Sequence, residues 1–348
     1  MERGYGIVDT VVSATQGHPE PAIGIDLVDS ELAESVQARL AVVERRLYEV
    51  VESADPFVTE AAQHLIRAGG KRFRPLLTVV CGHFGDPTVP EIVDSALAVE
   101  LTHLATLYHD DVMDEAPVRR GAPSVNSRWT NTVAILIGDF LFARASDLVA
   151  SLGNDAVRLQ SRTFSRLVHG QIRETVGPRP GEDPVEHYLH VVTEKTASLI
   201  STSARFGALF AGASERTVEA LAQFGEAIGI AFQLSDDLLD ISADQSQSGK
   251  MPGTDLREGV ITLPVLYALA GDDRDGARLR EIVRGPVTDE VLHAEALDLL
   301  RGSEAMRRAS ETMRSYAEQA RQTLAEVPDV PARRALESLC DFVVERQA

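Results

Sequence analysis

Three aspartates at the end of an apolar helical stretch are the residues of this chain that point most directly to chemistry. Asp110, Asp111 and Asp114 end a run of helix formers, and two arginines follow a proline a few residues later. Because each helical residue advances about 100°, Asp110 and Asp114 lie on one face. Two carboxylates ~4 Å apart repel by about 1 kcal/mol even in water, and a helix C-terminus adds to that penalty. The cluster predicts a bound cation; the alternative is a solvated acidic helix end.

A second acidic cluster occurs farther along the chain, in the stretch FQLSDDLLD. Asp236, Asp237 and Asp240 again follow an apolar helical run, which is unusual for a surface charge cluster. Two such clusters can form two walls of one cavity and share hard cations. Mg²⁺ prefers oxygen ligands and is usually held by one or two carboxylates together with substrate phosphates. The doubling therefore favours a metal site over two unrelated helix ends.

A basic segment, GGKRFRP at 69–75, supplies charge of the opposite sign. The glycine pair is expected to end one helix, and Pro75 suits the first turn of the next. Lys71, Arg72 and Arg74 would then surround a helix N-terminus, whose N–H groups favour an anion. The segment is not a Walker-type phosphate loop, because it lacks the required first glycine and a Ser or Thr after Lys71. The alternative is a basic helix cap on the surface.

Composition narrows the class of protein. The 348 residues include 34 basic and 53 acidic side chains, a net charge of −19, which argues against a nucleic-acid partner. No apolar run approaches the ~18 residues that a transmembrane helix needs, and no secretion signal is recognisable. Cys81 and Cys340 are well separated, which fits a reducing compartment without a disulfide framework. We therefore expect a cytoplasmic protein.

Helical spacing of apolar residues continues from residue 27 to the end of the chain, so we predict an all-α fold. Helices are expected over about 27–50, 56–68, 75–84, 91–114, 126–152, 155–176, 185–210 and 214–241, and in several pieces from 263 to 344. The composition has no break, so residues 29–348 are predicted to form one domain after a mobile arm at 1–28. The polar stretch 242–259 is expected to be a functional loop, such as a lid.

Acidic walls, clustered cations and apolar helix faces together describe a site for a diphosphate that carries a hydrocarbon tail. Arginine binds phosphate through a bidentate fork and lysine as a point charge. Metal ions held by the carboxylates would neutralise the remaining charge. A prenyl diphosphate combines the two parts, and the reaction that suits it is ionisation of an allylic C–O bond with departure of diphosphate.

The sequence resembles the all-trans polyprenyl diphosphate synthases of the long-chain type, from about Leu32 onward. The matching motifs, in family order, are GGKRFRP, HDDVMD followed by RRG, EKT, FQLSDDLLD, and GKMPGTDLREG followed by TLP. The resemblance implies one large helical bundle of the isoprenoid synthase type around a central cavity. It implies condensation of isopentenyl diphosphate, head to tail, with an allylic prenyl diphosphate, three Mg²⁺ ions bound with the diphosphate, and a homodimer. It is also compatible with transient membrane contact during product release.

The resemblance also assigns roles position by position. The Mg²⁺ ligands would be Asp110, Asp114, Asp236 and Asp240. Asp111 and Asp237 point about 100° aside and would support these ligands or pair with a lysine. The allylic diphosphate would be bound by Arg119, Lys195, Thr196, Gln233 and Lys250, and isopentenyl diphosphate by Lys71, Arg74, His103 and Arg120. Lys195 and three of the aspartates, Asp110, Asp114 and Asp236, would assist departure of the diphosphate.

Product length and one departure from the family pattern complete these expectations. Ala105 and Thr106 are small residues where short-chain relatives carry a bulky aromatic, so we expect an open tunnel and a product of about C30–C50. A shorter-chain geranylgeranyl or farnesyl diphosphate synthase is the alternative. A class I terpene cyclase and a non-catalytic subunit of a two-chain synthase are more remote. Val260 stands where many relatives carry a lysine, and Arg257 is the nearby cation that could compensate.

Overall fold

The predicted all-α fold is confirmed. The structure, a computed structural model, describes residues 25, 27, 29–242, 252–271 and 274–346. Its helices are α1 Ser30–Val50, α2 Pro56–Ala62, α3 His64–Arg67, α4 Phe73–Gly82, α5 Glu91–Met113, α6 Val125–Arg128, α7 Asn131–Leu152, α8 Asn154–Val176, α9 Pro184–Val192, α10 Ser198–Phe210, α11 Glu215–Ser242, α12 Thr254–Glu258, α13 Leu263–Ala270, α14 Arg274–Ile282, α15 Glu290–Leu300, α16 Glu304–Thr323 and α17 Pro331–Glu345. A π-helical turn, Thr193–Ala197, joins α9 to α10, and a 3₁₀ turn, Leu324–Glu326, follows α16.

Local chemistry explains where the elements differ from the sequence prediction. The stretch expected as one helix over 126–152 is two helices, because Thr130 leaves the helical conformation and its Oγ1 accepts the Val133 N–H at 3.2 Å. Between α5 and α6 a short hairpin was not predicted: Val118–Arg119 pairs antiparallel with Ala122–Pro123. The predicted loop 242–259 contains the helix α12, and its residues 243–251 lie outside the described part of the chain.

Helix α5 lies at the centre of the bundle. It packs against α7 along most of its length and also against α1, α4 and α10. Such a helix must be apolar nearly all round, and its buried residues include Leu97, Ala98 and Val99, which are consecutive and therefore point to different faces. On the other side of the cavity, α11 packs against α10 and α16. The two helices that end in acidic motifs are therefore both held in the interior.

The chain packs against this bundle before residue 29. Ile25 is only 3% exposed and belongs to the main core cluster, and Leu27 packs against the same cluster. The other residues of the arm predicted at 1–28 lie outside the described residues. In the part of the chain that the structure describes, no helix is both long and apolar enough to cross a membrane.

Candidate active site

One cavity of about 380 Å³ brings the two acidic motifs and the basic segment together. Its walls are formed by α4, α5, α7, α8, the π-helical turn, α10 and α11. Ten of the residues predicted from the sequence line it: Lys71, Arg74, His103, Thr106, Asp110, Arg120, Lys195, Thr196, Gln233 and Asp236. The remaining lining is mostly apolar, so a charged rim lies above a hydrocarbon-compatible interior.

The first acidic wall is the end of α5. Burial raises the pKa of Asp110 to about 6, the nearby Asp114 adds repulsion, and Lys195 opposes both effects. Asp114 follows the last residue of α5 and is exposed. Among the described residues, none forms a hydrogen bond or ion pair with the Asp110 carboxylate. A partly dehydrated carboxylate with no close partner is a ligand ready for a hard cation.

Asp111 points away from the cavity and holds an arginine. Its side chain is fully buried, and its Oδ1 accepts the Arg119 Nε–H at 2.6 Å. Nη2 of Arg119 lies 4.0 Å from Asp114 Oδ2. Arg119 is therefore oriented beside the first acidic wall but does not line the cavity in this structure. The supporting position expected for Asp111 agrees with this geometry.

On the second wall, Asp237 is buried behind Asp236 and organises a chain of hydrogen bonds. It accepts from the Tyr188 hydroxyl and, at 2.9 Å, from Gln233 Nε2. Thr196 Oγ1 in turn donates to Gln233 Oε1 at 3.2 Å. Burial raises the pKa of Asp237 to about 6, while these two donors favour its charged form. Tyr188 was not singled out from the sequence, because a tyrosine in a helix carries no local signal of such a partner.

Two predicted metal ligands of the second motif have protein partners. Asp236 accepts a hydrogen bond from Arg346 Nη2 at 2.7 Å. Asp240 does not line the cavity; its two carboxylate oxygens each accept a backbone N–H, from Thr254 and Asp255, at 3.1 Å. Asp240 thus caps the start of α12, a helix that the sequence did not predict, and its metal role remains a prediction.

The donor set suits a divalent cation, although the protein does not complete a coordination sphere. Hard carboxylate oxygens stand on both walls, and Asp110 has no hydrogen-bond or ion-pair partner among the residues that the structure describes. Within the described residues, no group of three or more His, Cys, Asp or Glu side chains converges as a metal site would require. Mg²⁺ commonly keeps waters and takes substrate phosphate oxygens as further ligands. The residues therefore fit an ion that binds together with a diphosphate.

The basic wall begins at the glycine pair before α4. Gly70 has φ +144°, and a Cβ there would lie 2.7 Å from the Arg120 guanidinium carbon. Because Gly70 has no side chain, the Arg120 guanidinium can approach the main chain, where it donates to the carbonyls of Leu65 and Gly69. Burial lowers the pKa of Arg74 to about 10, and its Nε is buried without a partner in the described residues. These poorly solvated cations are prepared for an anion.

A buried acid, not predicted from the sequence, stabilises this cationic wall. Glu100 is 2% exposed and accepts from Arg72 Nη1 at 3.2 Å, while Arg72 also forms a bidentate pair with Glu44 at 2.7 and 3.0 Å. Burial and the surrounding arginines, Arg74 first, lower the pKa of His103 well below its usual value. His103 is therefore neutral at pH 7. An acid in an otherwise apolar helical stretch was the available signal for Glu100.

The π-helical turn presents Lys195 and Thr196 to the cavity. Turns of this kind widen a helix locally and often occur at functional sites. Gly170 of α8 makes room for it, since a Cβ there would lie 2.7 Å from the Lys195 backbone nitrogen. Lys195 Nζ donates to Glu174 Oε2 at 2.5 Å, and its ammonium group lies near Asp110.

The apolar end of the cavity lies one turn and more below Asp110. Thr106 lines it, and Phe142 of α7 and Phe164 of α8 form an edge-to-face ring pair 4.4 Å apart. Ala105, the other predicted chain-length residue, is fully buried in the cluster between α5 and α7 and does not line the cavity. Of the two predicted chain-length residues, only Thr106 therefore faces the cavity, because neighbouring helical residues point about 100° apart.

Two predictions concern the segment after the second motif. Lys250 lies outside the described residues. Val260 is 42% exposed, and Arg257 is committed elsewhere: it forms a bidentate ion pair with Glu290 at 2.9 and 2.7 Å. Compensation of Val260 by Arg257 is therefore not supported by this geometry, because Arg257 faces α15 rather than the cavity.

Comparison with known proteins agrees with this geometry. Residues 55–300 match the family model described as polyprenyl synthetase. The chain is 51% identical over 324 residues to nonaprenyl diphosphate synthase of Mycobacterium tuberculosis, which covers 93% of this chain and 97% of that protein. Geranylgeranyl pyrophosphate synthase from Corynebacterium glutamicum, crystallised with calcium and isoprenyl diphosphate, is similar with a TM-score of 0.84 at 44% identity, over 92% of this chain and 99% of that one. A decaprenyl diphosphate synthase from Rhodobacter capsulatus gives 0.83 at 34% identity, over 91% and 99%.

We expect Gly170→Ala to distort the π-helical turn, because its Cβ would overlap the Lys195 backbone. The variant should lose about 1–3 kcal/mol of unfolding free energy in denaturant titrations. It should also bind inorganic pyrophosphate with Mg²⁺ about tenfold more weakly by calorimetry, since one charge-assisted hydrogen bond contributes about that much.

Gly207→Ala is the matched control. Its added Cβ would lie 2.0 Å from the Thr78 carbonyl oxygen, at a helix contact outside the cavity lining. It should lower stability and leave pyrophosphate affinity unchanged. A Gly170→Ala protein that keeps wild-type affinity, or an equal loss in both variants, would contradict a special role for the turn.

Proposed function

The chain belongs to the polyprenyl synthetase family and is a prenyltransferase, and from this we propose that it condenses isopentenyl diphosphate with an allylic prenyl diphosphate to form a long-chain all-trans product of about C30–C50. The observation that carries the proposal is the single cavity, in which acidic and basic walls meet above an apolar interior. The relative that is 51% identical over 93% of the chain is a nonaprenyl diphosphate synthase, which supports a long product.

The chain's own residues would divide the two substrates between them. Arg74, Arg120 and Lys71 would bind isopentenyl diphosphate, with neutral His103 as a hydrogen-bonding partner. Lys195, Thr196 and Gln233 would bind the allylic diphosphate from the opposite side, with Arg119 turning in from Asp111. The apolar residues of α5, α7 and α8 would exclude water from the allylic cation, which water would otherwise capture.

Three Mg²⁺ ions would be held by the allylic diphosphate together with Asp110, Asp114 and Asp236. Asp240 would join these ligands only after its hydrogen bonds to the backbone N–H groups at the start of α12 are broken. Bound Mg²⁺ would supply the positive charge that makes diphosphate a good leaving group. Calcium in the crystallised Corynebacterium glutamicum relative supports a divalent-metal requirement. No side chain of the cavity is assigned as the base, and the released diphosphate would accept the final proton.

The other functions considered from the sequence fit the cavity less well. A class I terpene cyclase needs no second diphosphate site, whereas Arg74 and Arg120 form a separate cationic wall. A non-catalytic subunit would have lost its acids, and both acidic motifs are intact. A shorter-chain synthase and a long-chain synthase are distinguished by measuring the chain lengths of their products.

We also propose a cytoplasmic location and a homodimer. Cys81 and Cys340 are both free and buried, which is compatible with a reducing compartment. An apolar stripe on α8 supports self-association: Phe164, Val168, Ile172 and Val176 follow each other at four-residue spacing, and their exposure rises from 36% to 75%. An unbroken apolar stripe on one helix face is usually covered in the functional assembly. A second copy of the chain is the occupant that the family resemblance implies.

Removal of either acidic wall tests the reaction. We expect Asp110→Ala or Asp236→Ala to lower turnover by about 10²-fold or more, because each deletes oxygen ligands for the charge that develops on diphosphate. Asp298→Ala, which removes an exposed acid of α15, is the control and should keep wild-type turnover. Radiolabelled isopentenyl diphosphate incorporation measures all three, with circular dichroism as the check on folding. Full turnover in excess EDTA would refute the proposal.

Thr106→Phe tests where the product grows. The ring would stand about one helical turn (~6 Å) below the metals and should shorten the main product to about C15–C20. Thr106→Val is the control, because it removes the hydroxyl without adding length, and its products should match those of the wild type. Reverse-phase chromatography of dephosphorylated products gives the lengths. A wild type that stops at C15, or unchanged products from Thr106→Phe, would place the growing chain elsewhere.

Charge on the α8 stripe tests the dimer. Ile172→Glu should convert a dimer to a monomer at micromolar concentration in sedimentation velocity, because burying the new carboxylate costs more than the contact contributes. Val291→Glu carries the same change at an exposed apolar position of α15 and should stay dimeric. A monomeric wild type, or an Ile172→Glu protein that remains dimeric, would rule out this surface.

A further inference from the structure

The last helix delivers a cation to the second acidic motif. Near its end, α17 is held to α11 by a hydrogen bond of 3.2 Å from Ser235 Oγ to the Val343 carbonyl oxygen. Arg346, directly after α17, donates from Nη2 to Asp236 Oδ1 at 2.7 Å. Asp236 lines the cavity and is one of the residues expected to bind a metal ion. The chain's own guanidinium therefore stands on a carboxylate where a divalent cation is expected.

Aromatic rings hold this guanidinium in place. Arg346 lies 5.0 Å from the Phe232 ring centroid and 5.5 Å from that of Phe342. Phe232 stacks in turn on Phe73, with ring centroids 5.2 Å apart. The Arg346 side chain is only 17% exposed. A cation packed against two rings and paired with a carboxylate is more firmly held than an ordinary surface ion pair.

The arrangement nevertheless leaves the arginine incompletely satisfied. Nη1 of Arg346 is buried and has no hydrogen-bond partner in the described part of the chain. A buried guanidinium with an unpartnered N–H pays a desolvation cost that its single ion pair offsets only in part. A doubly charged ion with its own water shell is therefore a credible competitor for the same carboxylate oxygen.

The two acidic walls differ in whether protein groups already occupy their carboxylates. Asp110 has no close partner among the described residues, whereas Asp236 is paired with Arg346 and Asp240 receives two backbone N–H groups from α12. The first wall therefore offers a carboxylate without a close partner among the described residues, whereas protein groups occupy the carboxylates of the second wall. The asymmetry concerns the same metal site that the proposed function requires.

We propose that Arg346 occupies the place of a metal ion at Asp236 and competes with it, so that the second wall accepts a divalent cation only when a diphosphate supplies additional oxygen ligands. The inference rests on the proposed function. It assigns to Arg346 the control of metal loading at the second wall. Binding of the allylic diphosphate would then release the end of α17 as the metal arrives.

Metal binding without substrate tests the competition directly. Mn²⁺, titrated into the full-length protein and followed by the electron paramagnetic resonance signal of the free ion, serves as the probe. Arg346→Gln should bind Mn²⁺ about tenfold more tightly than wild type at one site, since a charge-assisted contact of this kind contributes about that factor. Adding Asp236→Asn to Arg346→Gln should abolish the gain, because the site then loses its anionic ligand.

Arg333→Gln is the matched control. Arg333 lies on the same helix and pairs with Glu337, so its loss removes the same charge without touching the cavity. Equal gains in Arg333→Gln and Arg346→Gln would reduce the effect to overall charge and overturn the proposal. If neither wild type nor Arg346→Gln binds Mn²⁺ in the absence of a diphosphate, the role of Arg346 fails, whereas the proposed metal-dependent function fails only if Mn²⁺ also does not bind when inorganic pyrophosphate is present. If wild type binds Mn²⁺ and Arg346→Gln binds it no more tightly, only the role of Arg346 fails.

A measurement on the unmodified chain covers the case in which Arg346→Gln does not fold. Hydrogen–deuterium exchange of residues 342–346 should increase when Mg²⁺ and inorganic pyrophosphate are added together to wild type. Asp236→Asn, which cannot recruit the ion to this carboxylate, should show no such increase. Exchange that stays constant or slows in wild type would overturn the proposal.

Discussion

Crowding of like charges in poorly hydrated walls raises the free energy of the cavity on both of its sides. Burial disfavours the charged forms of Asp110 and Arg74, and the raised pKa of the one and the lowered pKa of the other express that cost. Helix α5 carries Asp110 at its end and His103 two turns earlier, so acidic and basic walls are separated along a rigid element. A ligand that combines phosphate charge with metal charge relieves both walls at once.

Contacts in the walls and behind them keep the unfavourable arrangement in place. Asp111 fixes Arg119, and Glu100 pairs with Arg72 next to the arginines of the basic wall. Asp237 receives hydrogen bonds from Gln233 and from a tyrosine of α9. Of these groups, Arg72 and Glu100 themselves line the cavity, whereas Asp111 and Asp237 do not, and all of these contacts hold charged or polar side chains in place. They reduce the number of orientations available to the charged groups, so that less reorganisation is needed when substrate charge develops.

Local sequence periodicity explains what could be predicted and what could not. The 3.6-residue period places His103, Thr106 and Asp110 on one face of α5, and all three line the cavity. The same period predicts only which residues of one helix share a face, and it predicts no contact between different helices. The contact of Arg346 with Asp236 joins residues 110 apart in sequence, and no local pattern encodes it. The π-helical turn was missed for a related reason: its extra residue is accommodated by Gly170 on another helix.

Two side chains of α8 serve two surfaces at the same time. Phe164 and Val168 line the apolar end of the cavity, and both are also exposed on the α8 stripe that we propose for self-association. A mutation at either residue would therefore be pleiotropic: any adjustment of the space for the tail also changes the face presented to a second subunit. Product length and quaternary structure would then have to evolve together at these two positions, whereas Thr106, which is not part of the stripe, is free to vary with product length alone.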